Sequence, residues 1–195
     1  MEKNKKLEIS AENALNSYNN TDANGRELLE HLFGKELFEP KNIMERVKTF
    51  DDACKVLGDN NALVNHYLFI ANGPEMDDSG NDIRGYLKLR IIAAALNDGW
   101  QPKFTEDEYR WYPYFYLYTK EQYDRLDEDE KKDCRVVGRA HYHAYVHGGV
   151  VYASASSAWS YSGTGSGSRL AFKSEELAEY CGKQFIDIWM DFLIG

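Results

Sequence analysis

Apolar residues recur at helical spacing through the first hundred positions. A short stripe ends at Gly34 and consists of Leu28, Leu29, Leu32 and Phe33. A longer pattern ends at Gly99 and consists of Ile83, Leu87, Ile91 and Ala94, with Leu89, Ile92 and Leu96 on an adjoining face. Residues three and four apart share one side of a helix, so both stretches are predicted to be helical. The second should lie in the core because its apolar face is broad.

Polar residues mark the predicted starts of several helices. Ser10 and Thr21 are expected to cap the first two helices, because their side chains can accept hydrogen bonds from unpaired amides. Thr49 followed by Asp52 resembles a capping box, and Gly58 is a suitable stop for the short helix that follows.

The pattern changes at Tyr109, where aromatic and β-branched residues become frequent. The stretch YRWYPYFYLYT is predicted to be a strand, and Pro113 requires an edge position or a bulge because it has no amide proton. CRVVGR, HYHAYVH and VVYASASSAWSYS are predicted to be further strands, and RLAFK another. Together these strands predict an antiparallel meander.

The last stretch of the sequence has the pattern of a helix. Ser174 is its expected N-cap, and its apolar stripe consists of Leu177, Cys181, Phe185, Ile188 and Phe192. The predicted fold class is α+β, with N-terminal helices, an antiparallel β meander and a long C-terminal helix packed on the sheet. One domain is predicted over residues 1–195, with a mainly helical part at 1–100, strands at 109–173 and the terminal helix at 174–194.

Composition and charge narrow the classes of function. The 195 residues carry a net charge of −9, which argues against a broad nucleic-acid-binding face. The apolar stretches are too short to span a bilayer, so no membrane association is predicted and the expected location is the cytosol. Cys54, Cys134 and Cys181 are widely spaced and are interpreted as reduced core thiols.

Three of the five histidines lie within HYHAYVH, residues 141–147. In a strand, His141, His143, Tyr145 and His147 would share one face, because alternate side chains point the same way. His141 and His143 could then hold one metal ion, with His147 as a further candidate ligand. The pair lacks an obvious third ligand, so the favoured interpretation is an exposed polar face, and no cofactor is predicted.

Two other features bear on binding. The glycines of GTGSGSR, residues 163–169, do not precede a predicted helix as phosphate loops do, so a connection is favoured. Arg169 and Lys173 are kept as candidate contacts for an anion. No nucleophile elbow or catalytic triad can be assigned, so the protein is predicted not to be an enzyme.

Small residues interrupted by tyrosine and tryptophan in VVYASASSAWSYSGTGSGS suit a recognition surface. The alternative is that these rings form an aromatic core. The predicted surface consists of His141, His143, Tyr145, Tyr152, Trp159 and Tyr161, with Arg169 as a charged contact.

Several stretches, among them YLKLRIIAAALNDGW and above all GSRLAFKSEELAEYCGKQFIDIW, resemble an uncharacterised family of Bacteroidetes bacteria and their phages and mobile elements. The resemblance covers most of the chain from about residue 40 and brings no known activity. It implies that residues 140–166 vary among members, so the histidines are not a family feature.

The resulting hypothesis is a non-enzymatic binding protein of phage or mobile-element origin, with a small molecule or a protein as its partner. One alternative is a phage inhibitor that sequesters a small host immune signal such as a nucleotide, using Arg169, Lys173 and stacked aromatic rings. A second is a virion or assembly component, which would form a homo-oligomer. A third is a metal-dependent enzyme at His141 and His143.

Overall fold

The structure is a computed structural model that describes residues 8–73, 80–103, 105, 107–133, 149–158 and 168–194. The described residues are rich in helix and include two strands, as expected for a mixed class. The helices are α1 (Ala11–Asn19), α2 (Ala23–Phe33), α3 (Ile43–Arg46), α4 (Phe50–Leu57), α5 (Ala62–Ala71), α6 (Asn81–Asn97), α7 (Lys120–Asp124), α8 (Glu128–Asp133), α9 (Glu175–Gln184) and α10 (Ile186–Ile194). The strands are β1 (Arg110–Tyr118) and β2 (Gly149–Ala158), and 3₁₀ helices lie at Lys35–Leu37 and Ser168–Leu170.

The chain divides into two compact units, and the first ends at Asn42. Ser10 caps α1 as predicted, but Asp22 caps α2 instead of Thr21, because the Asp22 carboxylate accepts the amide of Gly25 at 2.9 Å. The ring of Tyr18 stacks on Phe38 with centroids 4.3 Å apart, and its hydroxyl donates to Glu30. These contacts join both helices of the unit to the turn that follows.

The second unit begins at Ile43 and is built around α6. The predicted capping box is present at the start of α4, where Thr49 and Asp52 bond each other's amides, and the helix ends at Gly58. Helices α4, α5 and α10 all pack against α6. The core they enclose includes Val47, Ala53, Val64, Leu89, Ile91, Ile92, Leu96, Leu170, Phe172, Leu177, Cys181 and Trp189.

The strands β1 and β2 pair in antiparallel fashion from Arg110↔Ala158 to Tyr118↔Gly149. The register shifts between Tyr114 and Phe115, next to Pro113, as expected for a residue that cannot donate to the ladder. Segments 134–148 and 159–167 lie outside the described residues, so the full meander stays a prediction. RLAFK is not a strand along its length: it begins in a 3₁₀ turn and makes a single bridge, Trp111↔Phe172.

The predicted long terminal helix is two helices, which corrects the prediction for 174–194. The backbone of Phe185, at φ −113° and ψ 28°, leaves helical geometry between α9 and α10. The break lets α9 pack on both strands while α10 lies along α6. Ser174 caps α9 as predicted. No helix within the described ranges is long and apolar enough to cross a membrane.

Candidate functional site

A cavity of about 350 Å³ lies at the C-terminal end of α6 in the second unit. Arg90, Ala94 and Asn97 line it from one face of the helix, since their spacing of four and then three residues keeps them on the same side. Leu63 of α5 lines another part of the wall.

The turn after α6 brings the chain back over the cavity. Asp98 adopts a left-handed conformation with φ 48°, and Gly99 follows with φ 80°. The amide of Trp100 then donates to the Asn97 carbonyl at 3.0 Å. Trp100, Gln101 and Pro102 line the cavity as a result.

The last part of the wall comes from Arg169 and Ala171, more than sixty residues later in the chain. The buried side chain of Asn97 holds this segment in place. Its Nδ2 donates to the Ala171 carbonyl at 2.8 Å, and its Oδ1 accepts the amide of Lys173 at 3.0 Å. Both polar atoms of one amide therefore bridge α6 and the Arg169 segment.

Charge at the cavity is opposite to that of the chain as a whole. Arg90 and Arg169 line it, and among the lining residues that the structure describes there is no aspartate or glutamate. Neither guanidinium forms an ion pair with any residue that the structure describes, while the Arg90 guanidinium lies 5.9 Å from the centre of the Tyr86 ring. In a protein of net charge −9, two arginines on a wall whose described residues include no carboxylate give this region a local positive charge.

The predicted site residues divide into two groups. His141, His143, Tyr145, His147, Trp159 and Tyr161 lie outside the described residues, and of Tyr152 the structure describes the backbone, which pairs with Phe115. Arg169 lines the cavity. Lys173 lies beside it, but its Nζ donates to the Asn97 carbonyl at 3.1 Å, and its role as an anion contact stays a prediction.

Arg90 and Trp100 were not predicted from the sequence, although each carries a local signal. Arg90 is a charged residue within the broad apolar pattern of α6. A helix that buries much of its surface leaves few positions where a guanidinium can reach solvent, so a charged residue there is a signal. Trp100 follows a glycine turn directly after that helix. Their meeting with Arg169 depends on tertiary packing that the spacing of residues does not encode.

The aromatic residues of β1 face both core and solvent. Tyr112 is buried, and the Phe115 ring packs 5.3 Å from that of Trp189. In contrast, Tyr114 and Tyr116 are 52% and 61% exposed. Part of this strand is therefore core, and part offers rings to solvent.

The two cysteine thiols that the structure describes are poor nucleophiles. Burial raises the pKa of Cys181 to about 12, and a weaker opposing effect comes from a hydrogen bond with Trp189. Burial and the nearby Asp51 carboxylate also raise the pKa of Cys54. Both thiols are therefore protonated near neutral pH. Within the described part of the chain, no three histidine, cysteine, aspartate or glutamate side chains form a group able to hold a metal ion.

Comparisons with protein-family models, curated proteins and solved structures find no match to this chain. The function is therefore inferred from the cavity and its chemistry.

Proposed function

We propose that the protein is a non-enzymatic binding protein that holds a small organic anion in the cavity at the end of α6. The proposal depends on the pair Arg90 and Arg169, which line one concave site whose described wall contains no acidic residue.

The energetics favour an anionic occupant. Two arginines that line one cavity raise its positive potential, and a bound anion gains an attractive interaction with each of them. Arginine also matches carboxylate and phosphate groups with paired N–H donors, and such charge-assisted hydrogen bonds are about twice as strong as neutral ones.

The size of the cavity suits a small molecule. Ligand sites in proteins occupy roughly 300–1,000 Å³, and the present one, at about 350 Å³, lies near the lower limit. A single small organic anion fits this volume better than a peptide or a polymer does.

The family resemblance suggests a biological context in which anion binding would be useful. In a protein of phage or mobile-element origin, binding without chemistry would withdraw a small molecule from the host cytosol. We propose that the protein acts in the cytosol. If the protein is phage-encoded, this is the cytosol of the host cell.

The test begins with native mass spectrometry of untagged protein purified without chelators, followed by calorimetric titration with glucose 6-phosphate, adenosine 5′-monophosphate and citrate. We expect at least one of these anions to bind, and Arg90→Gln or Arg169→Gln to weaken it tenfold or more, which corresponds to about 1.4 kcal/mol.

Arg125→Gln is the matched control. Arg125 is exposed at the end of α7, and its substitution removes the same charge from a surface away from the cavity wall. If Arg125→Gln and Arg169→Gln lower the affinity for the anion equally, the effect is due to the net charge of the protein and not to the cavity. Absence of binding by all three anions, with no anion retained in the mass spectrum, would refute the proposal.

A further inference from the structure

The cavity has a second property besides its charge, which is an apolar wall with an aromatic ring. Trp100 contributes the ring, and Leu63, Ala94, Pro102 and Ala171 contribute aliphatic surface. Inorganic anions and small hydroxylated anions have no apolar surface to place against such a wall. The occupant should therefore carry an apolar, planar part as well as a charge.

The two arginines indicate which charged group the ligand carries. A phosphate monoester has a charge between −1.5 and −2 near neutral pH, whereas a carboxylate has −1. Because the described part of the cavity wall places no acidic residue with Arg90 and Arg169, a phosphate neutralises them more fully than one carboxylate does. Its three terminal oxygens also provide acceptors for both guanidinium groups.

Trp100 is positioned to meet the planar part. Its backbone is fixed by the hydrogen bond to Asn97, and the side chain is half-buried at the cavity. The chain that continues from it is held further along, where Nη1 of the buried Arg110 donates to the Lys103 carbonyl at 3.2 Å. Because the backbone that carries the ring is already fixed, less freedom is lost when a flat group stacks on Trp100.

From these properties we infer that the cavity binds a nucleoside monophosphate, with the phosphate at Arg90 and Arg169 and the base against Trp100. This inference rests on the proposed anion-binding function and deepens it. The volume of about 350 Å³ suits one base, one sugar and one phosphate, and the exposed amide of Gln101 lies on the same wall, where it can hydrogen-bond the edge of a base.

The experiment measures the affinities of AMP, GMP, CMP and UMP by calorimetry and compares them with those of ribose 5-phosphate and of the matching nucleosides. At least one nucleotide should bind tenfold or more tightly than ribose 5-phosphate, because only the nucleotide has a base to stack. The matching nucleoside should also be tenfold or more weaker, because it lacks the phosphate.

Substitution of Trp100 separates a stacking role from a structural one. Trp100→Ala should lower the affinity for the best nucleotide by about tenfold or more and leave that for ribose 5-phosphate unchanged. Trp100→Phe keeps a ring and should retain most of the affinity. Unchanged ribose 5-phosphate binding in Trp100→Ala also demonstrates that the variant is folded.

The outcomes distinguish this inference from the proposal beneath it. If ribose 5-phosphate binds as tightly as every nucleotide, the base does not contribute and the inference fails, while anion binding stands. Binding of citrate but of no phosphate ester would likewise overturn the inference alone. If none of these anions binds, both fail.

Discussion

Helices α2 and α6 have similar apolar spacing in the sequence but opposite environments in the structure. Leu28 and Leu32 of α2 are 59% and 64% exposed, whereas Leu89 and Ile92 of α6 are 1% and 0% exposed. The stripe on α2 consists of two adjacent rows, Leu28 with Leu32 and Leu29 with Phe33, while apolar residues cover a broader part of the α6 surface. Spacing identifies the side of a helix that can be buried, and the breadth of the apolar surface determines how many neighbours cover it.

The comparison is tested most strongly by shortening one leucine in each helix. Leu89→Ala should lower the free energy of unfolding by about 2–5 kcal/mol, because it leaves a cavity among well-packed neighbours. Leu32→Ala should change it by less than about 0.5 kcal/mol, because most of that side chain is already in water. Urea unfolding followed by circular dichroism measures both values. A cost of several kcal/mol for Leu32→Ala would mean that α2 is covered in solution.

Glycines in the two helices allow the difference in packing between α2 and α6 to be tested at the backbone. A Cβ at Gly85 of α6 would lie 2.8 Å from the amide nitrogen of Phe192 in α10, and neither backbone can easily move away. At Gly25 of α2 the three nearest atoms all belong to the side chain of Thr21, of which Oγ1 and Cγ2 can rotate away while Cβ stays at 3.0 Å.

Gly85→Ala should therefore destabilise the protein by about 1–3 kcal/mol despite the better helix propensity of alanine. Gly25→Ala should cost less than Gly85→Ala, because only the side chain of Thr21, which precedes α2, has to move. Thermal melts of the two variants provide the measurement, and an increase in the melting temperature for Gly85→Ala would show that α6 and α10 do not approach as closely as described.

The smallest expected effect concerns the capping box of α4, a helix that packs against α6. The Thr49 hydroxyl and the backbone amides of Thr49 and Lys48 hold the pKa of Asp52 below its usual value. Thr49→Ala should cost about 0.5–2 kcal/mol near neutral pH, as expected for a lost N-cap.

The sign of the pH dependence follows from that lowered pKa. The stabilisation from ionised Asp52 is complete above the aspartate's unfolded-state pKa, near 3.9, and is lost as the pH falls through the lower pKa of the folded protein. The stability difference between wild type and Asp52→Asn should thus be constant from pH 5 to 7 and shrink under acid. A difference that grows below pH 4 would contradict this assignment.

Local chemistry explains which parts of the fold could be predicted from the sequence. The caps at Ser10, Thr49 and Ser174 were predicted because a side chain and an amide three residues away decide them. The core position of α6 was predicted from the breadth of its apolar face. In contrast, the break at Phe185 could not be predicted, because the stripe continues through it and the break depends on what α9 and α10 pack against.

The candidate site shows the same division between local and tertiary information. Arg169 was predicted as an anion contact from its residue type beside a glycine-rich segment. Arg90 and Trp100 were not, because three distant parts of the chain must come together before they share a cavity. The distance from Asn97 to Ala171 is 74 residues along the sequence, and nothing local marks that pairing.

The amide bridge at Asn97 also limits how early the second unit can complete its fold during translation. The ribosome synthesises α6 first, and the carbonyl and amide that Asn97 binds emerge only after 74 and 76 further residues. Until then, the apolar sides of α6 that later contact α10 and Phe172 are not covered. The nascent chain therefore exposes an apolar helix surface to which chaperones can bind. The cavity is therefore completed late, when the returning segment closes both the core and the cavity wall.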